Sequence, residues 1–284
     1  MTFAEGSALP IARRLSKKKV NILPTICLVF LALVVVTGIA SPWLAPYDEG
    51  AIVTQPFVEP QAAFWLGSDF LGRDVLSRIM FGLRVTIGVG FGITIIGFII
   101  GSAGGFLSAA IGGKFDYLVS RLVDALISFP SMMIALVVVA SLGSSIPVLI
   151  ITVGIIDATR VYRVARSLGV GIVVQDYVEV AQLRGERLPW IIFHEVLPNT
   201  VSPLLAEFGI RFTYAILFIS ALSFLGLGVQ PPHSDLGLMV KENMQALLLK
   251  GYTPIYPAIV IGLITISVNL IVDQYSASRN RVRR

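Results

Sequence analysis

Six long apolar runs recur along this chain, and they decide what it can fold into. They fall at residues 22–40, 85–111, 122–142, 146–162, 203–225 and 254–272. Each approaches or exceeds the ~20 residues that carry a helix across ~30 Å of hydrocarbon. Charged residues are only 14% of the 284, against 55% hydrophobic ones, which excludes an ordinary soluble domain. The expected fold class is therefore an all-α membrane protein with six transmembrane helices. The fourth run is the weakest, because Asp157 interrupts its end.

The first run follows five basic residues, Arg13, Arg14, Lys17, Lys18 and Lys19, and ends in Gly38-Ile39-Ala40, which looks like a small-residue cleavage site. It is longer than the ~7–15 residues of a signal-peptide core, so an uncleaved first span is expected. Lys and Arg then set the orientation. With the N-terminus inside, the inner segments hold those five together with Lys114, Arg121, Arg160, Arg163, Arg166, Arg184, Arg187, Arg279, Arg281, Arg283 and Arg284. Arg211 lies within the fifth span, and only Arg73, Arg78, Arg84, Lys241 and Lys250 remain outside. Both termini are expected in the cytoplasm. The chain divides into a basic tail (1–21), a first span (22–40), an outer segment (41–84), a five-helix core (85–272) and a basic tail (273–284). Residues 163–202 form a cytoplasmic loop within the core.

In the outer segment, Val75, Leu76, Ile79, Met80 and Leu83 share one helical face, with Asp74 and Arg78 a possible i,i+4 pair on the other. A short amphipathic helix at the membrane interface is expected there. In the second run, Gly97, Gly101 and Gly105 share a face along which another backbone can approach closely. Packing within this chain and packing against a homologous partner subunit both fit that spacing.

Between the fourth and fifth runs lies a polar stretch, residues 176–199. Asp176 with Glu179 three residues on has the spacing of a capping box and predicts a helix starting at Tyr177. Ala181 is small enough for close contact with another element. Gly185 stands where a left-handed residue would close that helix. Pro189 suits the first turn of a second helix over 190–196, and Leu197-Pro198-Asn199 is expected to end it. Glu179, Arg184, Glu186 and Arg187 offer charge to a partner. From the residues alone, an interaction surface and a solvated linker remain equally open.

The spacing of Glu179, Ala181, Gly185, Val196 and Leu197-Pro198 resembles the Glu-Ala-Ala loop of ABC-importer permeases. Residues 66–78 (Leu-Gly-Ser-Asp-Phe-Leu-Gly-Arg-Asp-Val-Leu-Ser-Arg) and 223–232 (Ser-Phe-Leu-Gly-Leu-Gly-Val-Gln-Pro-Pro) resemble one branch. It is the dipeptide, oligopeptide and nickel permeases, and within it the second, C-type subunit. Asp124 with Pro130, and Arg163 with Arg166, fall where that family places them. The resemblance runs from the first span to the last. It departs at Val180, which replaces the second alanine, at the apolar residues 169–175, and in the tail after Val272.

The resemblance implies a type I ABC-importer permease architecture in a bacterial or archaeal cytoplasmic membrane. It implies a homologous second permease, two ATPase subunits and an extracytoplasmic binding protein as partners. Residues 176–198 would take up the ATPase motion, and peptides or a small solute such as a nickel chelate would be the cargo. ATP and Mg would sit on the ATPases, since this chain has no phosphate-binding Gly-x-x-x-x-Gly-Lys loop and is expected to bind no cofactor of its own. No enzyme constellation is present: His194 and His233 are far apart, and no nucleophile elbow occurs. Nucleic acid is not an expected partner, while membrane lipid is. Substrate contacts cannot be assigned from the residues. Cys27, the one cysteine, is read as a packing residue.

Ionisable residues in the spans are read as local pairs: Asp124 with Arg121, Asp157 with Arg160, and Glu207 with Arg211. A proton-coupled secondary transporter is the alternative reading; it needs inverted repeats or carboxylates near the midplane.

Overall fold

A computed structural model describes residues 22–249 and 251–282, with side chains as far as residue 276. The basic residues expected to mark the inside at 1–21, with Lys250, Arg283 and Arg284, lie outside the described residues, as do the side chains of Arg279 and Arg281. The chain begins with α1 (Ile22–Ile39) and one turn, α2 (Ser41–Leu44). An irregular stretch, residues 45–74, then leads into the long α3 (Val75–Ile111). α4 (Gly113–Ser128), α5 (Ser131–Leu142), α6 (Ile146–Val173), α7 (Asp176–Leu183) and α8 (Leu188–Ile191) follow. A π-helical turn, Ile192–Val196, joins α8 to α9 (Leu197–Phe224). The order closes with α10 (Leu236–Glu242), a 3-10 segment (Met244–Leu249) and α11 (Ile255–Val282).

Among the described residues, four helical stretches are long and apolar enough to cross a membrane: Ile22–Ile39, Val75–Ile111, Leu188–Phe224 and Ile255–Ser276. The pair α4–α5, bent by 84°, makes a fifth if it counts as one span. α6 has 28 residues, which is length enough, but its middle carries Asp157 and Arg160, with Arg163 following. The last helix continues past Val272, so much of the segment expected as a tail is helical.

The third run was expected as one helix over 122–142, and here the structure differs. The chain breaks at Phe129 (φ −86°, ψ 141°). Pro130 forces its neighbour out of the helical region and brings no N–H to continue the ladder.

Nor are residues 75–83 a separate interfacial helix: they are the first turns of α3. No proline or turn residue separates Leu83 from Val85, so the helix has no reason to stop. The expected Asp74–Arg78 pair is also absent. Asp74 is the N-cap, its carboxylate accepting from Ser77 N (2.8 Å) and Ser77 Oγ (2.6 Å). Arg78, 2% exposed, instead donates to Asp69 (2.6 Å) and to Glu242 of α10 (2.9 Å). Arg73 bridges the same two carboxylates at 2.6 and 3.3 Å. Two cations and two anions thus neutralise one another away from water, and they tie residues 69–78 to α10. Asn243 adds a contact by accepting from Phe70 N.

The α3 glycines face α6. A Cβ on Gly101 would lie 2.6 Å from the Ala158 carbonyl oxygen and one on Gly105 2.7 Å from Tyr162 O, while Gly97 lies against Gly154 and Asp157. The close approach therefore lies within this chain. In lipid there is little gain from hiding apolar side chains from water, so contact of this kind does much of the holding. Three apolar clusters lie along α3. One, with Ile79 and Leu83, packs on α10 and α11; the next, with Val89 and Ile93, on α5, α6 and α9. The last, around Phe106, packs on α6, α7 and the start of α9.

Candidate coupling surface

The 176–199 stretch folds at the end of α3 where that last cluster lies. α6 runs on through the apolar residues to Val173, and the chain turns at Gln175 (ψ 144°). Gln175 O accepts from Val178 N (2.9 Å), and its side-chain amide donates back to Gly171 O (3.1 Å). Gln175 is therefore the N-cap residue, without a side-chain capping bond, and the expected capping box between Asp176 and Glu179 does not form. The turn out of α6 claims the one extended residue a cap needs, which leaves Asp176 as the first helical residue. Both carboxylates still sit in the first turn of α7, where the helix dipole favours negative charge.

α7 closes as its glycine predicts. Gly185 has φ +82°, Gly185 N donates to Gln182 O (2.9 Å) and Glu186 N to Ala181 O (3.2 Å). These are the two bonds of a Schellman cap, and a side chain at Gly185 would be strained there.

Pro189 stands in the first turn of α8 as expected. Leu197-Pro198, however, does not end the second helix. It opens α9, and the π turn carries the helix from Leu188 to Phe224 without interruption. A proline ring clashes with the carbonyl four residues back, here that of His194. Widening the helix relieves this clash, and Leu197 N donates five residues back, to Ile192 O.

The motif residues divide by exposure. Ala181 and Val196 are fully buried, and Val196 packs in one cluster with Val178, Ile191 and Phe106. That cluster holds α7 against α8 and the π turn, and neither buried motif residue can offer its side chain to a partner. Asp176, Tyr177, Glu179, Arg184, Gly185, Arg187 and Pro198 are exposed, with Glu186 and Leu197 half-buried. Among the described residues, none of Asp176, Glu179, Arg184, Glu186 and Arg187 forms an ion pair. Arg184 lies over the Trp190 ring (5.8 Å), which stacks on His194 at 4.8 Å between centroids.

Charge alone understates this surface. Val174, Val180, Leu183 and Phe193 are also exposed, Leu183 at 81%. Val180 points outward, so its extra bulk enlarges the outer face and does not crowd the packing. The spacing 174, 177, 180, 183 is visible in the sequence as an apolar stripe beside the buried pair 178 and 181.

The spans' ionisable residues pair differently from expectation in two cases. Asp124 accepts from Arg163 of α6 (2.6 Å), because Arg121 turns to the Tyr117 ring one turn back. Asp157 faces Arg211 of α9 (3.5 Å), while Arg160 donates to Ser131. The Glu207–Arg211 pair forms at 2.6 Å. Arg166 binds Asp116 across α6 and α4. No group of three or more His, Cys, Asp or Glu among the described residues is arranged to hold a metal.

A bundle of helices long and apolar enough to cross a membrane, with an exposed helical hairpin, defines a multi-pass membrane protein. Residues 93–278 match the family described as binding-protein-dependent transport system inner membrane component. The chain is 33% identical over 214 residues to the dipeptide transport system permease protein of Alkalihalophilus pseudofirmus, covering 75% of this chain and 70% of that one. It is 33% identical over 246 residues to the glutathione transport system permease protein of Escherichia coli O157:H7, covering 86% and 81%. A crystal structure of an amino acid ABC transporter with histidines superposes with a TM-score of 0.53 at 15% identity, covering 72% of this chain and 93% of that one. That last likeness is one of fold. The chain belongs to the family of inner membrane components of binding-protein-dependent transport systems: it is a multi-pass permease subunit of an ABC importer, a transport component and not an enzyme.

Proposed function

We propose that this permease carries short peptides, or peptide-like solutes such as glutathione, handed over by an extracytoplasmic binding protein. It works beside a homologous second permease and above two ATPase subunits that hold ATP and Mg. The dipeptide and glutathione transport of the similar permeases supports the cargo class. In this reading six segments span the membrane with both termini cytoplasmic, and α7 and α8 dock on an ATPase.

One observation carries the coupling role. The α7–α8 hairpin is anchored from behind by the buried Val178, Ala181 and Val196, yet leaves five charged side chains without an ion-pair partner among the described residues and an apolar stripe uncovered. Closure of the ATPases would push Glu179, Arg184 and Leu183 and, through the unbroken α8–α9 helix, tilt the fifth span.

Uptake of a labelled dipeptide by the assembled transporter tests the reading. Glu179→Arg is expected to abolish uptake while the subunit still inserts in the membrane. Full uptake and unchanged ATPase co-purification in that variant would remove the coupling assignment. The chain expressed without its partners is expected to transport nothing; proton-driven uptake by it alone would favour a secondary transporter.

A further inference from the structure

A cavity of about 430 Å³ opens near the N-terminal end of α3, between α3, the start of α6 and the loop before α10. That volume lies within the ~300–1,000 Å³ of small-molecule sites. Its wall is apolar, formed by Val85 and Val89 of α3 with Ile146 and Ile150 of α6. Three ionisable residues also line it: Glu49, Arg84 and His233.

Those three are not equivalent. Glu49 accepts from Ser234 N (2.8 Å) and meets His233 Nδ1 at 3.4 Å, so its carboxylate is committed to fixing the loop. Leu236 N, donating to Thr86 Oγ1 (3.1 Å), pins the same loop to α3. Arg84 is exposed and forms no ion pair among the described residues. Arg73 and Arg78, six to eleven residues earlier, each have two carboxylates. The cavity is thus an open, mostly apolar pocket with one guanidinium at its edge that is unpaired among the described residues.

A guanidinium offers parallel N–H donors that match a carboxylate, and low-dielectric walls strengthen the pairing. A single cation suits a singly charged carboxylate better than a phosphate dianion. We propose that this cavity is a solute site, in which Arg84 takes the terminal carboxylate of a short peptide and Val85, Val89 and Ile150 receive an adjoining apolar side chain. The assignment rests on the reading of the chain as a peptide permease, and it adds a recognition element within the permease itself.

The test uses the complete transporter with its binding protein in proteoliposomes and radiolabelled alanyl-phenylalanine as probe. Arg84→Gln is expected to lower uptake by about tenfold or more, as the loss of a charge-assisted hydrogen-bonded pair would, while Arg84→Lys stays within about threefold of the parent. In the unaltered Arg84 background, p-benzoylphenylalanine placed at Phe81, on the cavity wall, is expected to capture the labelled dipeptide on illumination. Capture of the second permease or the binding protein in place of the dipeptide would show that Arg84 meets a protein carboxylate and would overturn the site. So would parent-level uptake by Arg84→Gln. A parent transporter that takes up no dipeptide would overturn the peptide reading and this assignment together.

Discussion

At the N-terminal end of α3, Asp69, Arg73, Arg78 and Glu242 satisfy one another out of contact with water, and Asp74 and Asp235 cap the helices beside them. At its C-terminal end, the α7–α8 hairpin carries five charges and pairs none of them among the described residues. The two ends draw on the same residue types. What differs is where the counter-charges lie: within the chain at one end and, in the proposed coupling role, on an ATPase at the other. Substitutions should therefore cost stability at the first end and transport at the second.

The largest expected effect on stability is that of Arg78→Ala. It takes one of the two arginines from the fully buried carboxylate of Asp69 and leaves Arg73 alone against two anions; removing one member of a buried ion pair costs about 3–5 kcal/mol. Thermal unfolding of the detergent-solubilised subunit measures it; a loss below about 1 kcal/mol would mean the cluster is not held as described.

Next comes Asp235, whose carboxyl burial pushes up to about 6, against the opposing pull of the Ser223 hydroxyl and the backbone N–H groups of Leu238 and Gly237. Between the ordinary carboxylate value of 3.8 and about 6, the folded chain keeps a proton the unfolded chain has released. Stability from this group is thus present at low pH and is lost as pH rises through that window. Its size is on the order of 2–3 kcal/mol. Melting temperatures followed from pH 4 to pH 7 in the parent and in Asp235→Asn check the sign: the parent's should carry a decline that the variant's lacks.

Gly185→Ala should cost only about 1–2 kcal/mol, the strain of a left-handed alanine. Its effect on uptake should be far larger than its effect on melting, since the cap sets the angle between α7 and α8. Smallest of all in stability is Leu183→Asp, at a position 81% exposed, expected within about 0.5 kcal/mol of the parent. Co-purification of the ATPases should nonetheless fall sharply. Retained co-purification would turn the apolar stripe into a lipid contact and blur the contrast between the two ends.

Local chemistry made much of this legible. Apolar runs located the helices, Gly185 announced its cap, Pro189 its helix start, and the α3 glycines a close approach. Failures came where a residue had two partners to choose from. Asp74, Asp124 and Asp157 each have an arginine at helical spacing, and sequence reasoning pairs them with it. In the fold, Asp74 turns to its own helix end, while α6 and α9 bring Arg163 and Arg211 from 39 and 54 positions away. Pro198 misleads for a related reason: its clash is real, but a π turn absorbs it without ending the helix. The exposed stripe was missed because Val180 and Leu183 sit in a segment whose charges draw the eye.

The unbroken run from Leu188 to Phe224 also sets a scale for motion. Its 37 residues amount to about 55 Å at ~1.5 Å per residue. As a stiff lever pivoting near its base, a tilt of about 5° would displace the far end by about 5 Å, close to one helical turn. In the proposed coupling role, a hinge at Pro198 would absorb such a push, whereas a helix continuous past the proline would carry it toward the other side of the bilayer.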